Sequence, residues 1–348
     1  MRAFFCALAI LLLAAFASAQ AGPTPGSQSL EPAFDAADLV CYGFVRSVVP
    51  ETMTTTNQAG TRTQRMRADI EVRGIYKSAL NENSVIAGFT QTFPGSRGGG
   101  GPTLSTGQSA ILFLKAVRPD TYEFADRSLG AILFSSLAAQ SEGKGLEKLQ
   151  YALVAVLDGD NHDDRLRSFR MLHGFDHLSP SVISRITHFA DSKDPLTALW
   201  AMSLLVKADV PDSVGRLSAY LDSYHEDIQD WVILNIHTDL AQIRDPKART
   251  ALESLTASKF SPIRDGAMRG LRRLRDPRSV PSLVRRLDDS DEDIQYLAVI
   301  TLAETLGKYG ELAPNMALFD KNPHKYKDLW KQWWAEEGSK LYPATSSH

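Results

Sequence analysis

Ser261-Pro262-Ile263-Arg264-Asp265-Gly266-Ala267-Met268-Arg269-Gly270-Leu271, followed after a short turn by Asp276-Pro277-Arg278-Ser279-Val280-Pro281-Ser282-Leu283, is the stretch that decides how this chain folds. Ile263, Ala267 and Leu271 are four apart, so on a helix they form one apolar face. That face recurs. Asp164, Leu196, Ile228, Ile263 and Ile294 hold equivalent positions at spacings of 32, 32, 35 and 31. Four residues on stand Ser168, Trp200, Val232, Ala267 and Ala298, and eight on Leu172, Leu204, Ile236, Leu271 and Leu302. One helix face repeated five times in register marks a tandem array, which makes binding surfaces more often than active sites.

The punctuation is that of helical hairpins. Asp245-Pro246 and Asp276-Pro277 each start a first helix with an acid at the N-cap and proline at N1. These helices carry Ala248, Ala251, Leu252 and Leu255 in one unit, and Val280, Leu283 and Leu287 in the next. A polar turn follows (258–262; 288–293), then the second helix with the repeated face. One hairpin cannot bury its own apolar side, so neighbours must stack, and residues 146–310 are expected to form an all-α superhelix, or solenoid. These residues resemble the HEAT repeat, above all its short bacterial form, in an armadillo-like superhelix. The resemblance is specific in the last two units and weakest around Asp164, where Ser168 suggests a degenerate cap.

The segment 1–19 reads as a signal peptide. Arg2 precedes an apolar run, Ala3 to Phe16, and Ala17-Ser18-Ala19 is a small-x-small cleavage site. The run is shorter than the roughly 20 residues that span a bilayer. The mature chain is expected to begin at Gln20, to lack a transmembrane segment, and to be secreted or periplasmic. Cys6 stands too early, with the wrong neighbours, for a lipoprotein anchor. Cys41 is then alone, so no intrachain disulfide forms, and its β-like flanks Val40 and Tyr42 predict a buried apolar thiol. A formal charge of -3 and 43% hydrophobic residues describe an ordinary globular protein, and nothing in that balance calls for nucleic acid or an anionic membrane.

Residues 20–34 read as a flexible linker, and beyond it the period changes to two. Met66, Ala68, Ile70 and Val72 alternate with Arg67, Asp69, Glu71 and Arg73, the pattern of a half-buried strand. Leu39 to Val49, Ser84 to Phe89, Ala110 to Val117 and Thr121 to Phe124 add four β candidates, and five short strands over 35–138 predict a small β-barrel. Ala37-Asp38-Leu39-Val40 with Gly43-Phe44-Val45, Val72-Arg73-Gly74-Ile75-Tyr76-Lys77, and Thr106-Gly107-Gln108-Ser109-Ala110-Ile111-Leu112-Phe113-Leu114 resemble the netrin-like, OB-type domain related to tissue inhibitors of metalloproteinases. In that family an N-terminal cysteine sits on the protease zinc, braced by disulfides. Here the expected N-terminus is Gln20, so protease inhibition is only a minor alternative.

No complete catalytic or metal motif is present, and no cofactor is expected. His173 and His177 have metal-ligand spacing, but Gly174 and Leu178-Ser179-Pro180 predict that the helix ends there. The run Asp158 to Asp164 departs from a calcium loop at His162, Asp163 and Phe169 and reads as a helix cap, as do the acids from Asp288 to Asp293. The HEAT-like deoxyhypusine hydroxylases use several His-Glu pairs, whereas this chain has only His225-Glu226. In phycobilin lyase-like proteins the resemblance is of the repeat alone. Serine and cysteine hydrolase motifs are absent, and the glycines from Gly95 to Gly101 lack the ending of a phosphate loop.

The strongest surface feature is basic: Arg264, Arg269, Arg272, Arg273 and Arg275 on one helix and its end, then Arg278, Arg285 and Arg286. It reads either as a salt-bridged face or as a surface for an acidic partner. The partner-binding residues it nominates are Arg264, Arg269, Arg272, Arg273, Arg285 and Arg286. Over 311–340 a capping helix is expected, with Tyr326, Leu329, Trp330 and Trp333 on its buried face and Trp334 at the surface. The chain is therefore expected to be an exported, non-catalytic binding or scaffold protein, recognising another protein or a cell-envelope component through the solenoid, the barrel or both. The alternative is a cell-envelope enzyme with its site in the groove between the two domains, gathering His225, Glu226 or His237 with acids from another repeat.

Overall fold

The computed structural model describes residues 29–56, 62–78, 84–92, 103–118, 121–125, 130–135, 137, 143–224 and 230–343. The signal segment with Gln20, the glycines from Gly95 to Gly101, and Ile228 with His225-Glu226 lie outside them. The chain divides into two units, Met1–Val182 and Ile183–His348, the division falling inside the helix Pro180–Phe189.

The first unit opens with a helix, Leu30–Ala36, where the composition predicts a flexible linker through residue 34. Ser29 caps it, and Leu30, Ala33 and Phe34 are buried, which is what orders a segment whose composition reads as linker. Its first turn is sewn down. The Leu30 amide donates to the Gly174 carbonyl at 2.7 Å, and Glu31 accepts from the amides of Asp176 and His177.

Among the described residues seven strands follow: β1 (Leu39–Pro50), β2 (Thr55–Thr56), β3 (Arg62–Lys77), β4 (Ser84–Thr92), β5 (Ser109–Arg118), β6 (Thr121–Phe124) and β7 (Ala131–Phe134). In β3 the predicted alternation holds, with Met66, Ala68 and Ile70 buried and Arg67 and Asp69 exposed. β1 pairs antiparallel with both β3 and β5, β3 with β4 and β5 with β6 are antiparallel, and β4 with β6 is parallel. The ladder β1–β3–β4–β6–β5 thus returns to its first strand, with β2 added to β3 and β7 to β5. Leu39, Cys41, Ile70, Ala87, Leu112 and Leu114 meet in its core, and the Cys41 thiol is fully buried. Neither β2 nor β7 was legible. Two exposed threonines carry no pattern, and Ala131-Ile132-Leu133-Phe134 is an apolar run with no period.

The first unit also holds the helices Gly145–Val156 and His162–His173, which the periodicity assigns to the array. Asn161 caps the second of these, as the reading of the Asp158 to Asp164 run predicts. Asp164 is buried because it accepts from the Ser135 amide at 2.9 Å, and Arg167 donates to the Leu133 carbonyl at 2.7 Å. The polar residue that breaks the apolar pattern at this position therefore binds the hairpin to the end of β7. His173 ends its helix and His177 lies beyond it.

In the second unit the face-bearing helices are Pro195–Lys207, Asp230–Gln242, Ser261–Leu274 and Glu292–Leu306, each touching the next. Trp200, Val232, Ala267 and Ala298 are buried, as are Leu204, Ile236, Leu271 and Leu302, so the register is as expected. Asp245 and Asp276 do accept from the amides of Lys247 and Arg278, but the turns they start, Pro246–Ala248 and Pro277–Ser279, are 3-10 before the chain relaxes into Arg249–Leu255 and Val280–Arg285. Proline fits these first turns because an amide at N1 would have no intrahelical acceptor.

The last repeat is covered by the helix Pro323–Trp333, preceded by Met316–Lys321. Tyr326, Trp330 and Trp333 are buried and Leu329 half-buried, and the Trp330 indole donates to the Leu312 carbonyl at 3.0 Å. Trp334, expected at the surface, is half-buried, because the chain winds on through Trp334–Gly338 beside Trp333.

Candidate functional site

A cleft of about 510 Å³ opens in the second unit between the helices Ser261–Leu274 and Glu292–Leu306 and the segment that runs from Tyr309 to Met316. Helical spacing builds its walls. Asp265, Arg269 and Arg272 follow one another along the first helix, and Asp293, Tyr296, Leu297, Ile300 and Glu304 along the second. Leu297, Ile300 and Pro314 are buried in its floor, whereas Tyr309 and Met316 stand exposed at its rim.

Both of its arginines are paired with carboxylates, and Asp293 adds a third acid. Asp265 receives Nε and Nη2 of Arg269 at 2.5 and 3.1 Å, and its Oδ2 lies 2.5 Å from Nε2 of His237 in the preceding repeat. Burial pushes the Asp265 carboxyl up, but the hydrogen bonds from His237 and Arg269 outweigh it and hold the group below the usual aspartate range. Arg272 reaches the next repeat and grips Glu304 through Nε at 3.0 Å and through Nη2, with Arg275 3.5 Å from the same carboxylate. The Arg272 hydrogen bond draws Glu304 below the ordinary glutamate range, and Glu304 in turn raises Arg272.

The six nominated arginines therefore separate. Arg269 and Arg272 line the cleft. Arg264 is buried, donating to Asp289 at 2.9 Å and to the Ser258 carbonyl at 3.0 Å, so it stitches two repeats together. Arg286 does likewise, donating to the Thr256 carbonyl at 3.2 Å with Asp289 at 3.5 Å. Arg273 and Arg285 are exposed, one donating to the Ala241 carbonyl and the other to Ser282. Spacing alone did not separate them, because whether an arginine faces solvent or the next repeat depends on the carboxylate opposite, 25 to 32 residues away.

The acids from Asp288 to Asp293 are divided in the same way. Asp291 caps Glu292–Leu306, Asp289 is the buried partner of Arg264, and Asp288 pairs with Lys331 at 2.5 Å. Of the groups that a catalytic site would gather, His237 meets one acid from another repeat, Asp265, while His225 and Glu226 are outside the described residues. Among the described residues no group of three or more His, Cys, Asp or Glu is placed to hold a metal ion. Nor, among them, is any helix long and apolar enough to cross a membrane.

No curated protein matches the chain. A sequence model of the HEAT repeats matches residues 231–303, the span that contributes Asp265, Arg269, Arg272, Tyr296 and Ile300 to the cleft. Residues 231–303 are thus similar to HEAT repeats.

Proposed function

We propose that this is an exported, non-catalytic binding protein that recognises another protein or a cell-envelope component through the cleft on its last two HEAT repeats. One observation carries the reading: an apolar floor flanked by Arg269 and Arg272, both already fixed by carboxylates, at the end of the array. HEAT repeats typically mediate protein–protein interaction, and anchors that are rigid before docking lose little entropy on binding. Of the nominated arginines, Arg269 and Arg272 are the contact residues, with Arg273 and Arg285 flanking.

The sheet unit is read as a closed barrel of OB type. That reading is supported by the circuit β1–β3–β4–β6–β5–β1 with its single parallel pairing, β4 with β6. Export rests on Arg2, the apolar run and Ala17-Ser18-Ala19. The test is affinity capture from the native cell envelope. Tyr309→Ala with Met316→Asp at the rim should lose the partner, and Arg67→Glu with Arg73→Glu on the sheet should retain it. The reverse result would place recognition on the sheet unit.

A further inference from the structure

We draw no further inference here: the strongest candidate, the apolar surface that Tyr309 and Met316 expose at the rim of the cleft, belongs to the site already described, and nothing in the structure shows what covers it.

Discussion

Gly266 and Gly270 let two helices of the array approach backbone to backbone, and no apolar pattern announces them. A Cβ on Gly266 would lie 2.7 Å from the His237 carbonyl oxygen, and one on Gly270 2.7 Å from that of Leu240, closer than a methyl group can approach backbone. The helices Asp230–Gln242 and Ser261–Leu274 therefore meet across bare backbone, which also holds His237 against Asp265. Gly266→Ala should destabilise the second unit by about 1 to 3 kcal/mol through overpacking, although alanine gains about 1 kcal/mol in helix propensity. A denaturation midpoint equal to the parent's would contradict that close contact. Arg264 makes the complementary case. Its Asp289 partner is almost wholly buried, so Arg264→Met should cost about 1 to 3 kcal/mol by removing one hydrogen-bonded charge, with Arg286 and the Asp291 amide still on the carboxylate. Restoration of most of that loss by adding Asp289→Asn is the measurement that assigns it to the pair.

Between neighbouring helices, stability is polar as well as apolar. Arg272 and Glu304 join Ser261–Leu274 to Glu292–Leu306 across the cleft mouth, and the Glu304 carboxyl titrates below its ordinary value of 4.5. A depressed carboxyl stabilises the fold fully above its unfolded value, and that contribution is lost as pH falls through the folded value. Glu304→Gln should thus lower the melting temperature at neutral pH, and the gap to the parent should close as pH falls from the ordinary glutamate value through the depressed folded one. Parallel melting curves across that range would show that the pair contributes nothing. At this scale most of the chain was legible: one strand from alternation and four from short β-prone runs between turns, the face-bearing helices from a four-residue spacing, the capping helix from Tyr326, Trp330 and Trp333. The 3-10 starts at Pro246 and Pro277 and the helix Leu30–Ala36 were not. The first reflect local backbone geometry, and the second is ordered by partners such as Gly174 that lie far along the chain.

For the molecule as a whole, the proposed export predicts that protein recovered from the envelope or medium begins at Gln20; an intact Met1 on cytosolic protein would overturn that localisation. The period of the apolar faces, the Asp-Pro starts and the alternation in β3 are local properties. Reading along the chain therefore determined that a β region precedes a helical array, in what register the array runs, and which end is capped. Three things were decided only by tertiary structure. The first hairpin joins the unit of the sheet because Asp164 and Arg167 find Ser135 and Leu133. The β1 to β5 pairing returns the sheet ladder to its first strand. The arginines divide into two that line a cleft, two that stitch repeats and two on the surface. Each of these depends on the group that faces a side chain or strand edge from a distant part of the chain. Periodicity shows which way a residue points, but the carboxylate or carbonyl it meets there determines whether its charge is buried, matched or left free to bind.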